Sequence, residues 1–264
     1  MYVIGDRMSN LKGKKVLIMG IANEASIAYG CARALSNAGA ELCVTYANDK
    51  TKQHVEPLLK GLNAPLFLKC NVTDDEECQG VFATIDKQWG NLDVLLHSIA
   101  FSLLKDLQGR VTDCSRAGFL EAMDISCHSF IRMAKYAEVL MKNGGLIATV
   151  SYVGSNMVIP DYGLMGPVKA ALESVVKYLA YELGNKNIRV NVISPGPIKT
   201  RAASGIKNFD TLYDEALKRS MTHTPISIDE VGSLLAFLAD DGASKNITGQ
   251  IIYIDGGFNQ LGIK

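Results

Sequence analysis

The sequence predicts a single-domain α/β fold: a doubly wound parallel sheet of about seven strands with helices on both faces. Three observations carry that expectation. Short apolar runs alternate with helical patterns throughout the 264 residues, and parallel strands joined in this way need crossovers that lay helices on the sheet. The runs, such as Val16-Leu17-Ile18-Met19 and Val94-Leu95-Leu96-His97, are apolar at consecutive positions, as strands buried on both faces are. No repeat, low-complexity segment or linker breaks the pattern. Residues 1–264 therefore read as one domain.

The elements follow in order. Lys15 to Met19 is the first strand and ends at Gly20, and Ser26 to Ala38 carries small and apolar residues at helical spacing. Strand, Gly-containing turn and helix open a Rossmann-type dinucleotide-binding unit. Gly20 lets backbone approach a ligand, Ser26 is placed to cap the helix, and the helix start offers N–H groups to a pyrophosphate. The turn is not a G-x-G-x-x-G fingerprint, and taken alone it is equally well an ordinary βα turn. Glu41 to Tyr46 is a second strand, Asp49 to Leu62 an amphipathic helix and Leu66 to Cys70 a third strand. Thr73-Asp74-Asp75-Glu76 supplies a cap and first-turn acids for a helix that runs to Trp89 and stops at Gly90-Asn91.

Asp93 to His97 is the fourth strand, followed by an irregular stretch to Cys114 and one long helix from Ser115 to Met141. Leu146 to Val150 is the fifth strand. The next helix runs to Leu183 and contains Pro167, which is tolerated only in a first turn. The helix should thus start near Met165 or Gly166, with Tyr162 on the loop before it. Ile188 to Ile193 is the sixth strand, Asp229 to Leu238 a helix capped near Ser227 or Ile228, and Ile251 to Ile254 the last strand. In this architecture ligands bind beyond the carboxyl ends of the strands. The loops that begin at Gly20, Ser98, Ser151 and Pro195 should share one cleft.

Lys+Arg and Asp+Glu both number 27, which argues against bulk binding to nucleic acid or an anionic membrane. No apolar run reaches the ~18 residues of a bilayer span. The stretch Met1 to Lys15 holds Asp6, Arg7, Lys12, Lys14 and Lys15 and lacks the apolar block of a secretory signal, so a cytoplasmic location is expected. The six cysteines are scattered, with no C-x-x-C pair, and read as reduced core thiols. The four histidines show no metal-ligand spacing. No metal is expected.

Between the fifth strand and the helix that follows it lie Tyr152, Tyr162 and Lys169. A cation near a phenol favours the phenolate and is expected to lower a pKa otherwise near ~10. The usual Y-x-x-x-K dyad of short-chain dehydrogenases occurs once, at Tyr46 and Lys50, too early in the chain for catalysis. Tyr162 and Lys169 are instead seven apart, and no other tyrosine has a lysine at that offset. A buried tyrosine and a surface lysine is the plain alternative.

Several stretches together carry a resemblance. Gly20 with Ser26-Ile27-Ala28-Tyr29-Gly30, His97-Ser98-Ile99-Ala100, Ser151-Tyr152, Tyr162 with Lys169, and the run Gly196 to Ile206 resemble the bacterial NADH-dependent enoyl-(acyl carrier protein) reductases. These form a divergent branch of the short-chain dehydrogenases, and the likeness covers essentially the whole chain. It implies reduction of the trans-2 double bond of enoyl-acyl-carrier-protein thioesters with NADH in type II fatty-acid elongation. It further implies that the Tyr162 hydroxyl meets the thioester oxygen, where charge develops. Lys169 would hold the nicotinamide ribose hydroxyls, and Tyr152 would line the acyl pocket.

By the same resemblance the cofactor is contacted by Gly20, Ser26, Ile27, Ala47, Asn71, Val72, Ser98, Ile99, Ser151, Lys169, Ile198 and Thr200. The substrate meets Ala100, Tyr152, Tyr162, Ala202, Ala203 and Ile206, under a lid around residues 196–220. Asn71 stands where the family often has an Asp facing the adenine amino group, and its amide oxygen is expected to accept that bond. Tyr46-Ala47-Asn48-Asp49 offers no arginine to a 2′-phosphate, and Asp49 would repel one. NADH is favoured over NADPH, although Lys50 and Lys52 are near. Pro167 and Pro195 depart from commoner family residues. The implied partner is an acidic acyl carrier protein met by Lys199, Arg201 and Lys207, and the implied assembly is a homotetramer packed through the helices at 115–141 and 168–183. A ketone or alcohol dehydrogenase of the same fold and a non-catalytic nucleotide sensor are the alternatives.

Overall fold

The computed structural model describes residues 10–262. Asp6 and Arg7, part of the argument about a leader, lie outside the described residues. Seven parallel strands are arranged in the order β3-β2-β1-β4-β5-β6-β7: β1 Lys15–Met19, β2 Glu41–Tyr46, β3 Leu66–Lys69, β4 Val94–His97, β5 Gly145–Val150, β6 Ile188–Pro195 and β7 Ile251–Ile254. The helices are α1 Ile27–Asn37, α2 Asp49–Val55, α3 Asp75–Trp89, α4 Leu104–Leu107, α5 Arg116–Met123, α6 Ser129–Leu140, α7 Met165–Leu183, α8 Phe209–Arg219, α9 Ile228–Ala239 and α10 Asp241–Ser244. The strand order reverses between β1 and β4, so the crevice for a ligand opens there.

Alternate strand residues feed two cores. Leu17, Leu95 and Ile147 pack under α3, α6 and α7 with Ile85, Phe130 and Leu172. Val16, Ile18, Leu96 and Ala148 pack under α1 and α9 with Leu35 and Leu235. The two helices of that second layer touch through glycines: a Cβ on Gly30 would lie 2.2 Å from the Ile228 carbonyl oxygen, and one on Gly232 would lie 2.4 Å from that of Gly30. Ser227 caps α9 in a full capping box with Glu230.

Besides two short helices that were not expected, α4 and α10, three longer stretches differ from the sequence expectation. The helix read as Asp49 to Leu62 ends at Val55 and passes into a single tight turn, Glu56–Leu59, because Pro57 lacks the N–H that would continue the ladder. The long helix read from Ser115 to Met141 is divided by a widened π turn at Asp124–His128. There Ser126 Oγ accepts from the Phe101 N–H at 2.9 Å and donates to its carbonyl at 3.0 Å, tying the turn to the loop after β4. Such bulges gather at functional sites. The third is α8, within a span read only as loop and lid. Asp210 in its first turn and Lys218 and Arg219 in its last complement the helix dipole, a signal masked by the small residues before it.

None of the six cysteines is in a disulfide, and five are buried. Among the described residues no helix is long and apolar enough to cross a membrane, and no cluster of His, Cys, Asp or Glu could hold a metal ion.

Candidate active site

The cleft begins at Gly20, whose φ of +105° and approach to β4 admit no side chain. A Cβ there would lie 2.1 Å from the Ser98 carbonyl oxygen. Ser26 occupies the N-cap position of α1 without capping it. Its Oγ turns back instead, accepting from the N–H groups of Ala22 at 3.0 Å and Asn23 at 3.1 Å. The expected cap is therefore corrected to a brace for the turn, which leaves the first-turn N–H groups of α1 without a side-chain partner and suited to an anion.

Ala47 and Asn71 are exposed at the ends of β2 and β3, and Val72 is buried beside them. The Asn71 amide oxygen accepts from Thr73 N at 3.2 Å and Thr73 Oγ1 at 3.0 Å. Both lone pairs are thus engaged within an Asx turn. The adenine contact expected of that oxygen is not prepared by this arrangement. Tyr46 packs on Phe67, with ring centroids 4.6 Å apart, and under Lys52; the Tyr46–Lys50 match is a feature of the β2 end.

Tyr162 precedes α7, as Pro167 required, and is buried in an apolar cluster with Met165, Val168, Leu107, Tyr152 and Ile206. Its ring meets that of Tyr152 edge-on, with centroids 5.0 Å apart and planes at 64°. The two rings press on the chain behind them: a Cβ on Gly154 would lie 2.5 Å from Tyr162 Cδ1. Burial pushes both phenols above their ordinary pKa, with the Tyr152 phenol and Glu173 adding to the rise at Tyr162 and Asp255 adding to it at Tyr152. The lysine-lowered phenol expected from the sequence is overturned: burial dominates, and Lys169 is not among the groups that shift Tyr162. Tyr162 is a neutral O–H donor. The Tyr152 hydroxyl is buried with no hydrogen-bond partner among the described residues.

Lys169 is a buried lysine, not a surface one, at 6% exposure. Its Nζ donates to the Val150 carbonyl at 2.7 Å. Burial pushes its pKa down to about 8, against the opposing pull of Glu173 and Cys127. Ser151, at the end of β5, is buried and donates to Glu173 Oε1 at 2.6 Å. Ser98 and Ile99 are half-buried after β4, and Ala100 is exposed. His97 belongs to the core, its Nε2 2.7 Å from Ser129 Oγ.

The segment expected to form a lid leaves β6 at Pro195. Ile198 and Thr200 are half-buried, and Thr200 Oγ1 accepts from Ala203 N at 3.1 Å, bracing a short turn at Ala203–Gly205. Ala202 is exposed, Ala203 is half-buried and Ile206 reaches the tyrosine cluster. Two contacts hold this segment down: Gln108 Nε2 to the Gly205 carbonyl at 2.9 Å and Asn208 Nδ2 to Asp161 Oδ2 at 2.9 Å. Lys199 is paired with Asp210 at 2.9 Å and lies over the Tyr213 ring. Lys199 is exposed in that pair, as are Arg201 and Lys207, the other two basic residues expected to face a partner.

Sequence reasoning missed Glu173, Gln108 and the Asp161–Asn208 contact. Glu173 had a readable signal, four residues after Lys169 and so on the same helix face. The other two join stretches far apart in the chain and had none. The donors present fit a dinucleotide: an uncapped helix start behind a glycine turn for the phosphates and a buried ammonium for ribose hydroxyls.

Comparison with known proteins agrees with this geometry. A family model described as Enoyl-(Acyl carrier protein) reductase matches residues 20–259. The chain is 45% identical to the NADH-dependent enoyl-acyl-carrier-protein reductase of Nostoc sp., over 97% of this chain and 100% of the relative. It is 43% identical to the NADPH-dependent enzyme of Staphylococcus aureus, over 96% and 100%. The solved structure of the Anaplasma phagocytophilum reductase in complex with NAD superposes with a TM-score of 0.92 at 41% identity, covering 96% of this chain and 97% of that one.

Proposed function

The chain belongs to the enoyl-(acyl carrier protein) reductase family, and from that premise we propose how its residues divide the work. The protein is an oxidoreductase that reduces the trans-2 double bond of enoyl-acyl-carrier-protein thioesters with NADH, a step of type II fatty-acid elongation. NADH, when bound, supplies the hydride that adds to the substrate β-carbon. The neutral Tyr162 hydroxyl donates to the thioester oxygen as negative charge gathers there. Its raised pKa suits this role, because a donor must keep its proton until the anion develops. Lys169 holds the ribose hydroxyls and keeps a positive charge beside that anion. Tyr152 fixes the Tyr162 ring from the edge and walls the acyl pocket, with Ala100, Ala202, Ala203 and Ile206 as further lining.

Gly20, Ser26, Ile27, Ala47, Val72, Ser98, Ile99, Ser151, Ile198 and Thr200 are the cofactor contacts in this reading, with Asn71 contributing only if its Asx turn opens. Residues 196–220 act as the substrate lid within a single domain, and Lys199, Arg201 and Lys207 face the acidic carrier. Tyr178 and Tyr181 on α7, 69% and 87% exposed, with Phe119, Leu120 and Val139 on α5 and α6, support packing of those helices in a homotetramer. We place the enzyme in the cytoplasm. The lack of a membrane-crossing helix among the described residues supports that placement.

The observation that carries the assignment of roles is the buried, edge-on Tyr162 phenol in one cluster with lid residue Ile206. NADH oxidation with crotonyl-CoA and with a longer enoyl carrier-protein substrate tests it. Tyr162→Phe should lower turnover by ~10² to 10³ and leave NADH affinity intact. Unchanged turnover removes Tyr162 from the chemistry, and oxidation with a β-ketoacyl but not an enoyl thioester overturns the reaction.

A further inference from the structure

Glu173 is a carboxylate at 6% exposure on α7, one turn beyond Lys169. Its Oε1 accepts two short hydrogen bonds, from Ser151 Oγ and Ser155 Oγ, each at 2.6 Å. These serines bracket the segment that carries Tyr152 and supports Tyr162 through Gly154. Lys169 meanwhile grips the carbonyl of Val150, the residue before Ser151. Two opposite charges on one helix turn thus hold consecutive residues at the end of β5.

An anion and a cation buried this deeply each need the other, because an isolated charge at such a site is strongly disfavoured. We propose that Glu173 is the positioning residue of this active site, fixing the end of β5 through Ser151 and Ser155 and keeping the Lys169 ammonium charged where the ribose binds. The proposal rests on the cofactor role given to Lys169 above. Groups facing Lys169 are Glu173 on α7, Cys127 on the π turn and His97 on β4, and of these Glu173 is the carboxylate. Facing Glu173 are the two serines, Lys169, the Tyr162 phenol and, from β7, the Tyr253 phenol. Burial alone drives Lys169 toward its neutral form, and Glu173 opposes that drift.

Charge and hydrogen bonding separate cleanly at this position. Glu173→Gln keeps an oxygen for the serines and removes the charge; Glu173→Asp keeps the charge and shortens the reach. Fluorescence titration of NADH across pH reads the Lys169 charge without any turnover. In the wild type, affinity should fall as pH rises through about 8. In Glu173→Gln that fall should come ~1 pH unit lower, with affinity near wild type on the acid side. In Glu173→Asp the midpoint should stay in place, so the question remains answerable if the Gln variant does not fold. A Gln midpoint equal to the wild type, or an Asp midpoint displaced downward, overturns the proposal. A wild type that binds NADH with this pH dependence yet reduces no enoyl thioester overturns the functional reading instead.

Discussion

A single methyl group at Gly154 tests how closely the position of Tyr162 is set. The Cβ of Gly154→Ala would lie 2.5 Å from Cδ1, 2.8 Å from Cε1 and 3.3 Å from Cγ of the Tyr162 ring. Carbon atoms rest at ~3.5 to 4.0 Å, so the ring must withdraw by ~1 Å and carry its hydroxyl along. The ring has little space to absorb the shift, with Tyr152 against one edge and Leu164, Met165 and Val168 buried around it. Overpacking of this kind costs ~1 to 3 kcal/mol, which leaves the protein folded and lowers its Tm by ~2 to 4 °C for each kcal/mol. A ~1 Å displacement at the reacting atoms costs ~10²-fold in rate. Steady-state kinetics with crotonyl-CoA, an NADH titration and a thermal melt together check the reasoning. The expected result is kcat/KM down ~10²-fold with NADH affinity retained, because neither Lys169 nor the Gly20 turn is touched. Wild-type kcat/KM in a folded Gly154→Ala protein refutes it.

Two further outcomes concern stability. Ser129 gives its own proton to the Ile125 carbonyl at 2.6 Å, so His97 must donate from Nε2, leaving Nδ1 buried without a partner among the described residues. Burial, aided by the Lys169 charge, holds this imidazole down at about 3. Between roughly 6.5 and that value the unfolded chain binds a proton that the fold refuses, so stability should fall with pH across the window by at most ~1.4 kcal/mol per pH unit. His97→Gln keeps a donor for Ser129 without titrating. Urea midpoints at pH 7 and 5 should drop further for the wild type than for the variant, and parallel drops refute the assignment. Ser227→Ala removes the capping box of α9 and should cost ~1 kcal/mol, read as a lower urea midpoint at unchanged m-value; an unchanged midpoint would show the cap to be idle.

Much of the fold was legible because its determinants are local. Consecutive apolar residues in β1 and β4 announced two-sided burial, and Pro167 located the start of α7 and thereby put Tyr162 on a loop. The division of the 115–141 helix was not legible, because Ser126 reaches the backbone of Phe101, a partner 25 residues away. The site shows the same split. Tyr162, Lys169 and Gly20 announced themselves by type and spacing, whereas the direction of the Tyr162 shift depends on burial, which only packing sets. The cap expected of Ser26 was not legible, since its hydroxyl is taken by Ala22 and Asn23, and neither was the Asx turn that engages the Asn71 amide oxygen with Thr73.

The backbone contact of α1 with α9 through Gly30 and Gly232 bears on how the enzyme handles two ligands. Gly196 to Ser227 spans two fixed abutments: β6, whose Pro195 pairs with Ile254 of β7, and α9, held against α1 with no room for a methyl group between them. In the proposed lid role, movement is absorbed within that span, which is also tied down where the Met221 and Thr222 N–H groups donate to the Gly256 carbonyl at 2.7 and 3.3 Å. Asn208 and His223, at φ of 53° and 51°, are points inside it where the backbone already leaves the common basins. A lid suspended in this way can swing without loosening the start of α1. In the proposed roles, the diphosphate seat at Gly20 and α1 would then stay intact while the acyl carrier comes and goes, and one cofactor would wait in place for its substrate.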